Sequence, residues 1–179
     1  MLGSIGKPGH GVALRLVDDD MNDVPPGEVG EIATRSDMVM DGYLDLPEET
    51  SRAFRDGWFR AGDMARIGDN GYLYLHGRKK DMIIRGGENI YPVEIETVLA
   101  EHPAVLQSAV IGIPEDHWGE TVCAFITTRD SASVTGDELR AHCLGRLAKY
   151  KVPADFRFVD TLPTNASGKI LKRELREAG

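Results

Sequence analysis

The chain has 179 residues, of which 41% are hydrophobic and 28% are charged, as in an ordinary globular protein of one domain or two small ones. Its net charge of −8 argues against nucleic acid and anionic membranes as partners, because both repel an acidic surface. No apolar run approaches the ~20 residues of a membrane span. The start of the chain lacks the apolar core of a signal peptide, so we expect a cytoplasmic protein.

The first part of the chain, residues 1 to about 77, is typical of short strands joined by turns. Residues 11–17 and 28–34 predict strands, and residues 59–67 and 72–75 predict a hairpin across a Gly-Asp-Asn-Gly turn. Pro47 and the acidic residues after it predict a short helix. No segment here would cover both faces of a sheet. We therefore interpret this half as the remainder of a larger domain, with exposed strand edges that are a candidate surface for self-association.

The pattern changes after Arg78 to alternating strands and helices. The expected elements are a strand at 82–84, a helix at 92–101, strands at 105–113 and 120–128, a helix at 136–147, a strand at 156–159 and a helix at 170–177. This order, β-α-β-β-α-β-α, predicts a compact α+β unit of ~100 residues. Thr135 is the expected cap of the second helix. Glu94 and Glu96 are predicted to lie on a solvated helix face.

Two cysteines are present, Cys123 and Cys143, far apart and without metal-ligand spacing. We predict that both are reduced, buried and structural. No metal ligands are assigned to this chain.

Three motifs carry chemically informative residues. Asp63 ends the motif GWFRAGD, where a carboxylate at a tight turn could accept two hydrogen bonds from a ribose diol. Arg78 ends the predicted hairpin strand, and its guanidinium suits ribose and phosphate oxygens. The alternatives are an ordinary turn aspartate and a solvated charge run.

Lys169 follows a glycine in LPTNASGKI, a small polar turn just before a basic helix. Such a turn holds an ammonium group away from the body of a domain, where it can reach a carboxylate and a phosphate together. A positioned cation there would offset the repulsion between two anions that must approach each other. The alternative is a lysine at a helix start with no ligand.

Together these motifs and GRKKDMIIRGGEN at 77–89 resemble the C-terminal portion of an acyl-CoA synthetase, a fatty-acid or aryl-acid CoA ligase of the adenylate-forming (AMP-binding) superfamily. The resemblance covers the whole chain, yet nothing in it resembles the nucleotide-phosphate loop of that family. The implied fold class is α+β. Residues 1–78 would be a β-rich, barrel-like remnant of the large AMP-binding domain, 79–81 a hinge, and 82–179 the small C-terminal α+β domain.

The resemblance also implies roles for the residues of the nucleotide site. Asp63 and Arg78 would bind the nucleotide through its ribose. Lys169 would contact the nucleotide and act as the catalytic residue of adenylation. The small domain would then rotate about Lys80, which must absorb a large change in backbone dihedral angles.

A second set of implied residues concerns CoA. After rotation, Gly86 and Gly87 would line the tunnel for the pantetheine arm, with a plain β-turn as the alternative. Trp118 and Tyr150 are further CoA candidates, with ordinary packing as the alternative for both. The chain departs from some relatives at Val152 and Ala154, where those relatives carry basic residues.

The implied reaction converts a small-molecule carboxylic acid, ATP and CoA into acyl-CoA, AMP and pyrophosphate. Mg²⁺ and the triphosphate would be bound mainly by the large domain, so we expect the isolated chain to be inactive. One alternative is a naturally short, non-catalytic module that binds AMP or CoA. Another is part of an adenylating enzyme that loads a carrier protein. Lys169 is also a candidate target of a lysine acyltransferase, because acylation would remove its charge.

Overall fold

The structure is a computed structural model that describes residues 3–129 and 133–177. The chain divides into two compact units, of which the first ends at Lys80 and the second begins at Asp81. This boundary falls inside a single turn of 3-10 helix, Lys79–Asp81. Residues 79–81 are the range that the sequence analysis assigned to a hinge, and this assignment stays a prediction.

The first unit is a curled half-barrel of five strands. Its elements are β1 (Ala13–Val17), β2 (Gly30–Arg35), α1 (Pro47–Ala53), β3 (Phe54–Arg55), β4 (Trp58–Ile67) and β5 (Leu73–Arg78). The strands follow the order β1-β2-β4-β3, with β5 also paired to β4, and all pairs are antiparallel. The predicted hairpin, helix and first two strands are thereby confirmed, while the two-residue strand β3 was not predicted.

The core of the first unit is small and includes a buried charge. One apolar cluster joins Leu16, Ile32, Ala65 and Leu73. Beside it, Glu31 of β2 has a side chain that is only 4% exposed. The carboxylate of Glu31 accepts hydrogen bonds from Arg60 at 2.5 Å and from Lys79 at 3.0 Å. A buried carboxylate needs such partners, because desolvation without them is costly.

The second unit combines a five-stranded sheet with three helices. Its elements are β6 (Ile83–Arg85), β7 (Glu88–Ile90), α2 (Pro92–Ala100), β8 (Val105–Glu115), β9 (Gly119–Thr128), α3 (Gly136–Leu144), β10 (Asp155–Phe158) and α4 (Lys172–Glu177). Strand β9 pairs with β8 and β6 antiparallel and with β10 parallel. The α+β fold class is confirmed, and the predicted order lacked only β7.

The sheet of the second unit is covered on both faces, because side chains alternate along β9. Val122, Ala124 and Ile126 belong to the cluster that includes Ile95 and Leu99 of α2 and Leu139 of α3. Cys123 and Phe125 belong to a second cluster with Leu162 and Leu175 of α4. This two-sided burial makes α2, α3 and α4 fixed parts of the unit.

Both cysteines lie in these clusters, buried and free, as the sequence predicted. Burial raises the pKa of the Cys123 thiol to about 11, and burial also raises the pKa of Cys143. Neither thiol is therefore primed for reaction.

The acidic residues of α2 correct one expectation. Glu96 does not lie on a solvated face: it accepts a hydrogen bond from the backbone N–H of Val110 at 2.8 Å and pairs with Lys172 at 2.7 Å. Glu94 pairs with Lys151 at 2.7 Å. These carboxylates hold α2 against β8 and the C-terminal segments, which gives them a structural function.

Helix α3 begins as expected. Thr135 accepts a hydrogen bond from the N–H of Glu138, whose side chain accepts one in return from the N–H of Thr135, so that the two form a capping box.

Across the described residues, no helix is long and apolar enough to cross a membrane.

Candidate functional site

Asp63 and Arg78, the two predicted nucleotide ligands, lie directly opposite each other on β4 and β5. The Nε atom of Arg78 is 3.1 Å from Oδ1 of Asp63, and both side chains are about one-third to two-fifths exposed. Asp63 is not at a turn, as the sequence had suggested, but inside β4. Its neighbour across the ladder therefore fixes its position, and both side chains keep hydrogen-bonding capacity for a ligand.

Gly62, which sequence reasoning passed over, makes room for this pair. Its φ of +71° suits glycine, and a Cβ atom there would lie 3.3 Å from Nη2 of Arg78. The same Nη2 atom donates to the carbonyl oxygen of Ala61 at 3.3 Å. The signal in the sequence was the glycine directly before Asp63.

An open cleft of about 400 Å³ in the first unit adjoins the guanidinium of Arg78. Its lining includes Tyr43, Leu46, Arg52, Arg60, Gly62 and Arg78. Three of these residues are arginines, and each is paired with a carboxylate: Arg52 with Glu49, which also lines the cleft, Arg60 with Glu31, and Arg78 with Asp63. A groove of about 460 Å³ beside Leu14, Val24 and Ile67 is larger but contains none of the predicted residues.

The predicted hinge residue, Lys80, lies between two anchored neighbours. Lys79 pairs with Glu31 and Asp19 in the first unit, whereas Asp81 pairs with Arg176 of α4 at 3.2 Å in the second. Lys80 is exposed and has no ion pair among the described residues. Each unit therefore holds its own end of the segment, and the hinge role of Lys80 stays a prediction.

Gly86 and Gly87 form the two-residue turn of the β6–β7 hairpin. Their φ angles of +59° and +85° are those of a type I′ turn, which explains why two glycines occur here. The plain β-turn considered for these residues is thus present, and the CoA role stays a prediction. The turn also predicts β7, which the sequence analysis missed.

Trp118 packs directly over this turn. A Cβ atom on Gly86 would lie 2.7 Å from Cε3 of Trp118, and the N–H of Gly86 donates to the carbonyl of Trp118 at 2.8 Å. Trp118 nonetheless keeps 48% of its surface exposed. Its ring is therefore positioned by the glycine turn with area left for a ligand.

Arg85, which sequence reasoning missed, connects Trp118 with Tyr150. Its guanidinium carbon is 5.9 Å from the centroid of the Trp118 ring, and Nη1 is 3.5 Å from the carbonyl oxygen of Tyr150. Three of the four predicted CoA residues, Gly86, Trp118 and Tyr150, thus surround one arginine. Position 85 carries no signal of these contacts in the local sequence, because Trp118 is 33 residues away and Tyr150 is 65 residues away.

Lys169 lies in a closed turn. Thr164 and Ile170 bridge as an antiparallel pair, and the side chain of Asn165 accepts hydrogen bonds from Ser167 and from the N–H of Lys169 at 2.9 Å. Asn165 thereby shapes the turn, a function that the sequence analysis did not assign. Lys169 is exposed, and its ammonium has no hydrogen bond or ion pair among the described residues.

The structure thus brings the predicted residues into three groups, namely Asp63 with Arg78, Gly86 with Trp118 and Tyr150 around Arg85, and Lys169 alone. Within residues 3–129 and 133–177, no group of three or more His, Cys, Asp or Glu side chains could hold a metal ion.

Comparison with known proteins places this geometry in a family. The AMP-binding enzyme family matches residues 1–44, and the AMP-binding enzyme C-terminal domain matches residues 94–169. Feruloyl-CoA synthase from Amycolatopsis sp is 48% identical over 175 residues, which are 98% of this chain and 36% of that protein. Fatty acid–[acyl-carrier-protein] ligase ScoC from Streptomyces coeruleorubidus is 38% identical over 177 residues, 99% of this chain and 34% of that protein.

A solved structure agrees with these matches. The crystal structure of ATP-bound MatB from Rhodopseudomonas palustris superposes with a TM-score of 0.92 at 39% identity, covering 98% of this chain and 35% of that one. The chain spans about a third of the length of the curated relatives it matches. It belongs to the AMP-binding, adenylate-forming enzymes, the family of the ATP-dependent acyl- and aryl-CoA ligases.

Proposed function

We propose that this chain supplies part of the nucleotide site, the hinge and the rotating domain of an ATP-dependent acyl-CoA synthetase. The observation that carries the proposal is the exposed ammonium of Lys169, held by a closed turn and without a partner among the described residues. Lys80 is also exposed without an ion pair among the described residues, so the feature that distinguishes Lys169 is the closed turn that fixes its backbone. An unpaired cation on an ordered turn is available to an anionic substrate.

In the first half-reaction, a carboxylate oxygen of the acid attacks the α-phosphorus of ATP. The bond from that phosphorus to the bridging oxygen breaks, and pyrophosphate leaves. Both reactants are anions, so Lys169 lowers the barrier by neutralising charge on the phosphoryl oxygens. No general base is required, because the carboxylate is already ionised at neutral pH. Asp63 and Arg78 orient the ribose, and Mg²⁺ would neutralise charge on the triphosphate when bound.

In the second half-reaction, the thiol of CoA attacks the acyl carbon of the adenylate. The bond from that carbon to the phosphate oxygen breaks, AMP leaves, and the thiol proton is lost to solvent. Rotation at Lys80 withdraws Lys169 and presents Gly86 and Gly87 to the adenylate. The glycine turn lets the thin pantetheine arm approach the backbone closely.

The proposal predicts different outcomes for the two half-reactions when Lys169 is changed to alanine. We suggest a chimera in which residues 1–179 replace the matching segment of the Amycolatopsis feruloyl-CoA synthase. ATP–pyrophosphate exchange measures adenylation, and thioester formation from supplied feruloyl-adenylate measures the second step. We expect Lys169→Ala to slow exchange by about 100-fold or more and to leave the second step within a few-fold of the parent chimera.

Arg173→Ala is the matched control, because it removes a nearby positive charge whose one ion pair among the described residues is with exposed Glu177. It should leave both steps unchanged. Equal loss of the two steps in Lys169→Ala, or exchange at the parent rate, would contradict the assignment. The 179-residue chain by itself should form no acyl-CoA, since residues outside it are proposed to bind the triphosphate.

A second acceptor, the pantetheine of a carrier protein, is favoured by one comparison, the acyl-carrier-protein ligase ScoC. The same chimera can be offered free CoA and a phosphopantetheinylated carrier protein in parallel. If the chimera prefers the carrier protein, we would instead propose that the chain is part of an adenylating enzyme that loads a carrier protein. The acid stays unassigned, because the relatives act on both an aromatic and a fatty acid.

A further inference from the structure

Two lysines that lie close together in the sequence, Lys169 and Lys172, have opposite surroundings. The ammonium of Lys169 is exposed and has no ion pair among the described residues. The side chain of Lys172, which begins α4, is only 18% exposed, and its Nζ lies 2.7 Å from Oε1 of Glu96 in α2. The Glu96 side chain is 22% exposed. The pair is thus largely shielded from solvent, so that it is screened less than an ion pair on the surface.

The carboxylate of this pair also binds the edge of the sheet. Oε1 of Glu96 accepts a hydrogen bond from the backbone N–H of Val110 in β8, at 2.8 Å. Within the described part of the chain, β8 pairs only with β9, so an N–H on its outer edge needs an acceptor from another element. Glu96 therefore serves two donors at once, the strand edge and the ammonium of Lys172.

The pair connects two helices that lie on opposite faces of the sheet. Helix α2 contributes Ile95 and Leu99 to the apolar cluster on one face, whereas α4 contributes Leu175 to the cluster on the other. Neither cluster contains both helices among the described residues, because the sheet lies between them. The ion pair of Lys172 with Glu96, at the outer edge of β8, links the two helices directly.

Helix α4 in turn directs the turn that carries Lys169. A hydrogen bond from the N–H of Leu171 to the carbonyl oxygen of Pro163, at 2.8 Å, closes the base of this turn directly before α4. That bond fixes the shape of the turn, whereas its direction follows that of the helix it joins. The helix has six residues, of which Leu175 is buried, so that a polar contact at its first residue, Lys172, has a large influence on its orientation.

We infer that Glu96 and Lys172 are positioning residues for adenylation, whose ion pair fixes the direction in which Lys169 is presented to the α-phosphate; this inference rests on the proposed function. Neither residue touches the substrate, and both act through Lys169. A positioned group is sensitive to such support, because a misplacement of about 1 Å can cost about 100-fold in rate. The other ion pair that anchors α4, between Arg176 and Asp81, lies at the end of the helix away from Lys169.

The test applies the two half-reaction assays to variants of the same chimera. Lys172→Met removes the ammonium but keeps the length of the side chain. Glu96→Gln removes the negative charge but keeps an oxygen that can accept from the N–H of Val110. We expect each variant to slow ATP–pyrophosphate exchange by about tenfold or more. Thioester formation from supplied feruloyl-adenylate should stay within a few-fold of the parent chimera, because it does not use Lys169.

Two further variants and a double variant separate positioning from general stabilisation. Lys172→Arg keeps a cation for Glu96 and should restore most of the exchange rate. Arg173→Met is the matched control, because it changes the next cation of the same helix at 84% exposure, and it should slow neither step. If Lys172 acts through Lys169, Lys172→Met should add no further loss of exchange to Lys169→Ala, whereas independent contributions would multiply.

Exchange at the parent rate in both Lys172→Met and Glu96→Gln would overturn the inference. An equal loss of the two half-reactions would also overturn it, since the pair would then only stabilise the fold, and so would a loss that multiplies with that of Lys169→Ala. In each of these cases, slow exchange in the Lys169→Ala single variant would leave the proposed function intact. Exchange at the parent rate in Lys169→Ala would instead overturn the proposed function, and the inference with it.

Discussion

The two units are stabilised in different ways. In the second unit, apolar clusters cover both faces of the sheet, and side chains such as Ile95, Leu99 and Ile126 are fully buried. In the first unit, the core is smaller and contains Glu31, which is held by two cations. Large apolar side chains of the first unit, among them Leu44 at 88% exposure, remain on its surface. We therefore expect the second unit to be the more stable and the first to depend on charge.

This comparison can be tested because each unit has its own reporter. Both cysteines, Cys123 and Cys143, are buried in the second unit, so that their labelling by a thiol reagent in urea reports its unfolding. Trp58 packs against the small cluster of Val17, Met21 and Ala33, so that its fluorescence reports the first unit. A Trp118→Phe background leaves Trp58 as the single tryptophan.

The largest effect is expected for Leu99→Ala in the second unit. Leu99 is fully buried in α2, and its truncation leaves a cavity that costs about 2–5 kcal/mol. Thiol labelling should begin at a markedly lower urea concentration than in the wild-type chain. The urea midpoint of the Trp58 fluorescence transition should not change. Leu106→Ala, at a β8 side chain that is 53% exposed, is the matched control and should change neither. A parallel shift of both transitions would mean that the two units unfold as one.

The second effect is expected for Glu31→Gln in the first unit. This change keeps the shape of the side chain at position 31 but leaves Arg60 and Lys79 without the carboxylate that they share. We expect a loss of about 2–3 kcal/mol, below the 3–5 kcal/mol of a fully buried pair, because Lys79 is 31% exposed. The Trp58 transition should move to lower urea, and thiol labelling should not. An unchanged Trp58 transition would show that charge does not hold this unit together.

Acid provides a second readout of the same carboxylate. Burial alone would raise the pKa of Glu31, but hydrogen bonds from Arg60 and Lys79 outweigh it and hold the pKa below 4.5. A lowered pKa in the folded state contributes stability above pH 4.5, and this contribution is lost as the pH falls through the folded-state value. The wild-type first unit should therefore weaken more steeply below pH 4.5 than that of Glu31→Gln. Identical acid curves would contradict the role given to Glu31.

The residues that could be predicted are those whose signals are local. The β4–β5 hairpin follows from Gly-Asp-Asn-Gly between two apolar runs, and α2 begins at Pro92 with its apolar side chains on the inner face. In contrast, β7 contains only Glu88, Asn89 and Ile90, and it exists because the preceding glycines turn the chain back on β6. Propensity within three residues is too weak to show this.

In the candidate site, too, the residues that could be predicted are those with local sequence signals. Asp63, Arg78 and Lys169 came from motifs, and the structure pairs the first two across the sheet. Arg85 and Glu31 were missed because their roles arise from partners 65, 29 and 48 residues away. Chemistry that depends on long-range contacts cannot be read from a window of neighbouring residues.

The smallest effect is expected at the start of α3, where the second unit relies on a polar contact instead of apolar packing. Thr135→Ala removes the hydroxyl that accepts from the N–H of Glu138, and loss of such a cap costs about 1 kcal/mol. Thr97→Ala is the matched control, because the Thr97 hydroxyl donates within α2 to a carbonyl that the helix already uses. We expect earlier thiol labelling in urea for Thr135→Ala and equal or later labelling for Thr97→Ala, since alanine favours a helix interior. If both variants label alike, the stability of the second unit is insensitive to its caps and rests on the two apolar clusters alone.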